Sequence, residues 1–283
     1  MYSQDYDMSH HMVVKFVVTL VVIAAVVLLP MARSYRNRPL VFVQMSDPQI
    51  GFLDTSAVYA LTDSLMRRAV EEVNALGPEL VVITGDLVNQ PSSSLQDSIY
   101  RVRRGELTAR VWELPGNHDV LGDSLDSFGD RLGRYVSGRG YARFAVRKRG
   151  SVFIGIDSNC IKEGDANAEE EQLEWLRAEF RKAAGAKHIF VFLHCPVIRE
   201  RMDEPEDYFN FPVEKREQYI GLFKEAGVSA VFAGHTHKAY TCEFNGIGFY
   251  TAGPVGMPLG GGESGFNLVV VTREGFSVEY RKI

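Results

Sequence analysis

Short apolar runs alternate with stretches of helical periodicity along most of the chain. Residues 40–45 are largely β-branched or aromatic and end at Ser46-Asp47, which is typical of a buried strand. Residues 57–76 carry apolar side chains every three or four positions and stop at Gly77-Pro78, which predicts a helix. The same two patterns predict further strands at 80–84, 109–114, 188–193 and 228–233, and further helices at 169–184 and 214–226. Strands that alternate with helices indicate an α/β fold built from βαβ units.

Two parts of the chain depart from this alternation. Residues 141–146 and 152–157 flank a basic turn and predict a hairpin, and the last part of the chain is strand and turn, clearest at 266–271 and 276–281. A helix is compatible with 91–104, whereas 120–140 are rich in Gly, Asp and Arg and predict irregular surface structure. No linker composition interrupts residues 39–283, so we expect them to form one domain.

Residues 1–38 differ from the rest of the chain. Residues 16–29 are almost entirely apolar, with Lys15 just before them and a basic cluster at 33–38. A basic residue followed by a short apolar run fits a secretory signal peptide, whereas residues 12–31 reach the length of a membrane span if Lys15 is included. The sequence is compatible with both a cleaved signal peptide and a retained membrane anchor. Either one predicts the cell envelope, as a secreted or periplasmic protein or as a protein anchored in the membrane by residues 12–31.

Composition narrows the class of protein. The 283 residues are 46% hydrophobic and 24% charged, which is ordinary for a globular protein with a sizeable core. The formal net charge of -5 provides no basic surface for nucleic acid, so no nucleic-acid partner is expected. The three cysteines show no paired spacing and indicate neither a disulfide framework nor a zinc knuckle.

Polar side chains able to bind metals follow five of the predicted strands. They are Asp47, Asp86, Asn117, His194 and His235. Functional residues of α/β sheets gather outside the carboxyl ends of the strands, so we expect these side chains to lie together, with Gln49 and His237. Carboxylates, amides and imidazoles without a thiolate suit Mn, Fe or Zn in a two-metal centre. Two such ions can share a bridging hydroxide and hold phosphoryl oxygens, and Asp86 is the candidate carboxylate between them.

Each of these motifs alone also has an ordinary explanation. Gly-Asp and Asn-His-Asp are common turn sequences. His-x-His is also weak evidence for a metal site, because alternate residues of any strand face the same way. The chain has only seven histidines, however, and four of them occupy these strand-end positions. Five strand ends with the same chemistry therefore favour a metal site over five separate turns.

The order of the motifs resembles the signature of a known superfamily. Asp-x-Gln, Gly-Asp-x-x-Asn, Gly-Asn-His-Asp, a lone His and Gly-His-x-His are similar to the calcineurin-like metallophosphoesterases over essentially residues 39–283. The resemblance implies a four-layer α/β/β/α sandwich of two mixed sheets with a dinuclear site. It assigns one ion to Asp47, Gln49, Asp86 and His237, and the other to Asp86, Asn117, His194 and His235. His118 matches the catalytic imidazole of the superfamily, which protonates the leaving-group oxygen.

Two positions depart from the superfamily pattern. The first motif usually reads Asp-x-His but here contains Gln49, and the carboxylate that orients the catalytic imidazole in many relatives is here Asn89. The Asp-Pro-Gln variant, the acidic run at 203–209 and residues 256–260 resemble the subgroup of calcineurin-like phosphoesterase domain-containing proteins, also called complete S-transactivated proteins. Eukaryotic members of that subgroup are described as protein serine/threonine phosphatases. The acidic run is either a rim that repels polyanions or a solvated surface loop. Arg199 and Arg201 in the same loop are candidate contacts for a substrate phosphate.

The resemblance implies a hydrolase of phosphoric esters. We expect hydrolysis of phosphomonoesters, on a small molecule or a phosphoprotein, with His118 as general acid. Phosphodiester cleavage is the second interpretation, because the same site accepts a diester when its cleft is open. The third is a binding protein that keeps the fold and has lost catalysis. The intact His118 and the two aspartates oppose this third interpretation, whereas Gln49 and Asn89 keep it open.

Overall fold

The computed structural model describes residues 38–123 and 125–283. The signal or anchor segment falls almost entirely outside this part of the chain, and its assignment stays a prediction. Among the described residues, no helix has the length and apolar character needed to cross a membrane.

Two mixed sheets hold the strands of the described residues. The strands are β1 (Leu40–Met45), β2 (Leu80–Ile83), β3 (Arg110–Glu113), β4 (Phe144–Lys148), β5 (Ser151–Gly155), β6 (His188–Phe192), β7 (Ala230–Ala233), β8 (Tyr240–Phe244), β9 (Ile247–Thr251), β10 (Gly265–Val271) and β11 (Phe276–Lys282). The first sheet has the order β11-β10-β1-β2-β3, and the second has the order β4-β5-β6-β7-β9-β8. Within them β1, β2 and β3 are parallel, as are β5, β6, β7 and β9, whereas β4 and β8 pair antiparallel at the edges.

Helices connect the strands and flank both sheets. They are α1 (Ala60–Leu76), α2 (Ser94–Gly105), α3 (Phe128–Arg139), α4 (Asn159–Lys162), α5 (Ala166–Ala183), α6 (Val213–Ala226) and the short 3₁₀ helix His118–Val120. Alternation along β1 puts Phe42 and Val43 on opposite faces. Phe42 lies between the sheets, with its ring 5.1 to 6.0 Å from four phenylalanine rings of the second sheet. Val43 joins the apolar core that includes Met66 and Val70 of α1. The predicted α/β/β/α arrangement is confirmed.

The parallel register brings strand ends together. Met45 pairs with Ile83, and Ile83 pairs with Glu113, so β1, β2 and β3 end at one edge of the first sheet. In the second sheet Phe192 at the end of β6 pairs with Phe232 near the end of β7. The residues that follow these strands are therefore positioned as a group.

The prediction of irregular structure at 120–140 is wrong over the part that forms α3. The side chain of Ser127 accepts from the Asp130 N–H at 3.1 Å, and the Asp130 carboxylate accepts from the Ser127 N–H at 3.3 Å, which is a capping box. Gly140 ends the helix with φ 94° and donates its N–H to Val136 O at 2.7 Å. Glycines inside the helix hid these two end signals, because glycine disfavours helical structure.

The chain divides into two compact units. One consists of residues 41–270 and 276–283 and contains every candidate site residue. The other consists of residues 1–40 and 271–275, of which the structure describes 38–40 and 271–275. In this second unit the Thr272 N–H donates to Gly275 O at 2.8 Å and closes a turn. The domain boundary at residue 39 stays a prediction.

Candidate metal centre

The seven candidate ligands come from loops that follow strands of both sheets. Asp47 and Gln49 follow β1, Asp86 follows β2, Asn117 follows β3, His194 follows β6, and His235 and His237 follow β7. Main-chain hydrogen bonds join the first two loops, because the Asp47 N–H donates to Gly85 O at 3.1 Å and the Gln49 N–H donates to Asp86 O at 2.8 Å. The structure thus brings all seven side chains of the sequence prediction to one edge of the fold.

Most of these ligands have an uncommon backbone conformation. The φ angles are 51° at Asp47, 35° at Gln49, 50° at Asp86, 69° at His235 and 51° at His237. Side chains other than glycine rarely adopt this left-handed region, and each such residue costs about 1–3 kcal/mol. The chain therefore turns sharply after these strands, and the side chains of the candidate ligands lie close together.

Two glycines allow the loops to approach each other. A Cβ atom at Gly116 would overlap the main-chain nitrogen and the carboxylate of Asp86. A Cβ atom at Gly234 would overlap the side chain of Ser46 and the carboxylate of Asp47. Both glycines precede a predicted ligand, so the close contact of the loops depends on them.

The buried carboxylates and imidazoles form two groups that share one residue. Ligand atoms of Asp86, His194 and His235 lie within 4.8 Å of one another. Ligand atoms of Asp47, Asp86 and His237 lie within the same distance of one another. Asp86 is common to both groups, as the bridging role predicted from sequence requires.

Each of the three imidazoles in these groups has one nitrogen committed to a main-chain oxygen. The pairs are His194 Nδ1 with Thr84 O (2.8 Å), His235 Nε2 with Tyr208 O (3.0 Å) and His237 Nδ1 with Met257 O (2.6 Å). A carbonyl oxygen only accepts, so these ring nitrogens carry the hydrogen. When the ring is neutral, the other nitrogen of each imidazole faces the cluster with a lone pair, which is the tautomer that a metal ligand needs.

The two amides are oriented in the same way. Asn117 donates from Nδ2 to the Tyr208 hydroxyl at 2.8 Å and places its Oδ1 3.0 Å from His194 Nε2. Gln49 donates from Nε2 to Asn89 Oδ1 at 3.3 Å, and its Oε1 is buried. Both amides therefore use their nitrogen for a neighbour and leave their oxygen as a possible ligand.

The donor atoms fit metal cations. Asp47 Oδ1 and Gln49 Oε1 are buried without a hydrogen-bond partner in the described part of the chain, although buried acceptors normally have one. His194 Nε2 lies 3.0 Å from Asn117 Oδ1 and 3.1 Å from His235 Nδ1. When these groups are neutral, their converging lone pairs repel one another unless a proton or a metal ion lies among them.

The electrostatics of the cluster favour positive charge as well. Burial raises the pKa of Asp47, although His194 and His237 oppose this effect. Burial also acts to raise the pKa of Asp86, but the neighbouring His194 holds that pKa well below its usual range. The pKa of His194 is about 9, because the Asp86 carboxylate outweighs burial, whereas burial and His194 lower the pKa of His235 to about 3. A proton on His194 thus compensates the buried carboxylate when no cation does.

His118 lies beside the two groups and belongs to neither. Its main-chain N–H donates to Asp86 Oδ1 at 2.9 Å, and its ring Nδ1 lies 3.0 Å from the main-chain oxygen of Asn89. Sequence reasoning left the orientation of this imidazole open, because Asn89 replaces a carboxylate. The structure assigns that contact to the main chain of Asn89, while its side chain binds Gln49.

Asp119 has a role that sequence reasoning missed. Its buried carboxylate accepts from the main-chain N–H groups of Gly116 at 2.8 Å, Leu87 at 3.0 Å and Val88 at 3.3 Å. These bonds join the loop that carries Asn117 to the loop that carries Asp86. The Gly-Asn-His-Asp motif contains this residue, but main-chain partners in another loop leave no trace in the sequence.

The acidic run between β6 and α6 has an ordered structure. Glu204 is buried and accepts from the main-chain N–H groups of Arg199 and Glu200, both at 2.9 Å. The guanidinium of Arg199 binds Asp207 at 2.8 Å, and that of Arg201 binds Asp203 at 3.1 Å. Both arginines considered as phosphate contacts are therefore engaged by carboxylates of their own loop.

The family of the chain follows from a match to a family model. The model described as calcineurin-like phosphoesterase matches residues 40–239. The chain belongs to this family. The serine/threonine-protein phosphatase CPPED1 of Danio rerio is 28% identical over 266 residues, which are 87% of this chain and 85% of the relative. The superfamily and the subgroup predicted from the motifs are confirmed.

Two solved structures share the fold of this calcineurin-like phosphoesterase. A dimetal phosphatase from Danio rerio superimposes with a TM-score of 0.63 at 15% identity, over 86% of this chain and 96% of the other. A purple acid phosphatase from yellow lupin superimposes with a TM-score of 0.68 at 15% identity, over 87% of this chain and 52% of the other. At this identity the comparison establishes the architecture of two mixed sheets with flanking helices.

Proposed function

We propose that this chain hydrolyses phosphate monoesters with the help of two metal ions. The observation that carries the proposal is the place of Asp86 in both buried ligand groups. One carboxylate shared by two sets of ligands suits two neighbouring ions, which is the arrangement used for displacement at a phosphoryl group. The main-chain N–H of His118 donates to the same carboxylate, which supports this residue as the proton donor of the centre.

The ligands divide between two ion positions. Asp47, Gln49, Asp86 and His237 would hold one ion, and Asp86, Asn117, His194 and His235 would hold the other. Oxygen and nitrogen donors without a thiolate support Mn, Fe or Zn. When bound, two such ions supply an activated water and positive charge for the phosphoryl oxygens.

His118 would act as the general acid. The main-chain oxygen of Asn89 keeps a proton on Nδ1, so that Nε2 is the nitrogen that gains and gives a second proton. The phenyl ring of Phe52 is an apolar neighbour of the imidazole, with the two ring centroids 6.4 Å apart. An imidazole held in this way delivers the proton to the leaving-group oxygen, with a typical contribution of about 10²–10⁴ to the rate.

We extend the proposal to phosphoserine and phosphothreonine in proteins as substrates. The likeness to a serine/threonine-protein phosphatase over most of both chains supports this substrate class. The Asp-Pro-Gln form of the first motif, which contains Asp47 and Gln49, supports it as well.

The proposal is tested by Asp86→Ala with metal analysis of the purified protein. Loss of the shared carboxylate should remove both ions together and abolish turnover of an aryl phosphate and of a phosphoserine peptide. Asp203→Ala is the matched control, because Asp203 forms an exposed ion pair with Arg201. Unchanged turnover after exhaustive chelation would refute the two-metal mechanism, and turnover of a bis-aryl phosphate alone would make the chain a phosphodiesterase.

A further inference from the structure

The loop of residues 196–212 reaches the metal centre and is held rigidly. Arg216 of α6 is fully buried and donates to the main-chain oxygens of Phe211 at 3.0 Å, Met202 at 3.1 Å and Glu204 at 2.5 Å. The Lys162 ammonium donates to the main-chain oxygens of Asp207 and Asn210 at 3.0 and 2.6 Å. These bonds fix the backbone on both sides of Tyr208.

Tyr208 contacts the ligands of the second ion position in three ways. Its main-chain oxygen lies 3.0 Å from His235 Nε2, and its ring lies 4.7 Å from the His235 ring. Its hydroxyl accepts from Asn117 Nδ2 at 2.8 Å. The residue is nevertheless 57% exposed, so Tyr208 contacts both the candidate ligands and solvent.

The hydroxyl of Tyr208 holds the nitrogen of the Asn117 amide away from the other candidate ligands. The oxygen and the nitrogen of an amide have almost the same shape, and rotation about the last bond exchanges them. Only the oxygen can bind a cation. Nδ2 donates to the hydroxyl, and Oδ1 lies beside His194 Nε2. When the hydroxyl gives its own hydrogen to solvent or substrate it can only accept from the amide, and it then favours this orientation.

The same geometry leaves the hydroxyl proton available. A phenol that accepts a hydrogen bond still has its own hydrogen to donate. The described residues provide no acceptor for it, and Tyr208 is exposed to solvent. A phosphoryl oxygen is an acceptor of the required kind.

We propose that Tyr208 is a positioning residue of this centre, which holds Asn117 in the orientation that binds an ion and donates a hydrogen bond to a phosphoryl oxygen of the substrate. The proposal rests on the two-metal function described above. It assigns to a loop residue a contact that the sequence suggested for Arg199 and Arg201, both of which bind carboxylates instead.

Manganese titration calorimetry on the metal-free protein tests the positioning role. Tyr208→Phe keeps the ring on His235 and removes the acceptor, so we expect one of the two ions to bind about tenfold more weakly while the other is unaffected. Tyr250→Phe is the matched control, since Tyr250 stacks on Phe232 in the second sheet, and both affinities should be unchanged. Equal manganese affinities in Tyr208→Phe and the parent protein would overturn the positioning role.

A double-mutant cycle separates this role from a general effect on structure. In Asn117→Asp both outer atoms are oxygens, so either orientation presents a ligand. Tyr208→Phe should then weaken ion binding much less in the Asn117→Asp protein than in the parent protein. An equal loss in both proteins would overturn the account based on amide orientation.

Binding of inorganic phosphate to the manganese-loaded protein tests the contact with substrate. The phosphate affinity should fall about fivefold in Tyr208→Phe, the effect of one lost hydrogen bond, at manganese concentrations that saturate both proteins. Unchanged phosphate affinity would overturn the contact. If the parent protein bound no manganese, the proposed function itself would fail, which is distinct from a failure of Tyr208 alone.

Discussion

Gln49 occupies a candidate ligand position at which an imidazole would be the stronger donor for a first-row transition metal. Its buried Oε1 has no partner in the described residues, and its Nε2 is held by Asn89 at 3.3 Å. We therefore expect the ion at Asp47 and His237 to be bound loosely, with fewer than two ions per chain after purification and higher activity when manganese is added. Gln49→His should tighten this ion, as measured by titration calorimetry on the metal-free proteins.

A neighbouring glutamine provides the control for this substitution. Gln90→His introduces an imidazole next to Asn89, outside both ligand groups, and should leave the manganese affinities unchanged. If Gln49→His also left the affinity of the weaker position unchanged, Gln49 would be a polar loop residue and not a ligand.

His118 allows a prediction that separates proton transfer from ion binding. The His118 side chain makes its resolved hydrogen bond to Asn89 O and belongs to neither ligand group. His118→Ala should therefore keep the metal content and lower kcat by about 10²–10⁴ for a poor leaving group, and much less for a good one. Metal analysis with kinetics on two aryl phosphates checks this. Loss of the ions in His118→Ala would mean that a ligand had been assigned as a proton donor.

At the scale of one element, Asp157 follows β5 and is buried at 4% exposure. Its Oδ1 accepts from the main-chain N–H and the Nδ2 of Asn159, both at 2.8 Å, whereas its Oδ2 has no partner in the described residues. Burial raises the pKa of Asp157 from 3.8 to about 7, against the effect of these hydrogen bonds. Because the folded-state pKa is raised, the stabilising contribution is complete below the ordinary pKa and is lost as pH rises through about 7.

Asp157→Asn keeps the Oδ1 acceptor and removes the titration. We expect the free energy of unfolding at about pH 8 to exceed that of the parent protein by at least about 1 kcal/mol, with a flatter dependence on pH between about 4 and 7. Urea unfolding across this range measures both quantities. Identical profiles for the two proteins would show that Asp157 does not titrate in this window.

Strands and helices with a regular pattern of apolar residues could be predicted from the sequence. A helix defined mainly by its capping residues could not. The run that forms β1 is apolar, and its neighbours follow the same pattern, so strand ends and site residues could be located together. Helix α3 was missed because its stability depends on the Ser127–Asp130 capping box and on Gly140, while internal glycines obscure its period.

The candidate ligands could be located from motifs, but the contacts that orient them could not. Asp119 binds main-chain groups of another loop, and the Tyr208 hydroxyl reaches Asn117 across the fold. Such contacts depend on tertiary structure, so no local sequence pattern predicts them. The left-handed backbone at Asp86 and His235 was equally invisible, because neither residue type marks that conformation reliably.

At the scale of the whole molecule, we expect the buried carboxylates to couple folding to ion binding. Ligands that bind only the folded state stabilise it by about 2.7 kcal/mol at a concentration 100 times Kd. We therefore expect the Tm to rise when manganese is added to the metal-free protein, as measured by calorimetry. Asp86→Ala should show no rise, and an equal rise in both proteins would place the stabilising ion elsewhere.

We also propose that residues 1–38 direct the protein to the cell envelope. The long apolar run after Lys15 is the sequence feature that supports this proposal. Cell fractionation should find the protein in the envelope, and N-terminal sequencing should show either a start near Arg33 or an intact anchor. A protein in the soluble cytoplasm with residue 1 intact would contradict the proposal.

The strained backbone of the candidate ligands bears on whether this chain is catalytically active. Five ligands, Asp47, Gln49, Asp86, His235 and His237, hold positive φ angles at a cost that glycine would avoid. The fold therefore loses stability at five positions that all carry side chains able to bind metal. Backbone strain of this kind clusters at active sites and ligand sites, which favours a working metal centre over a fold that has lost it.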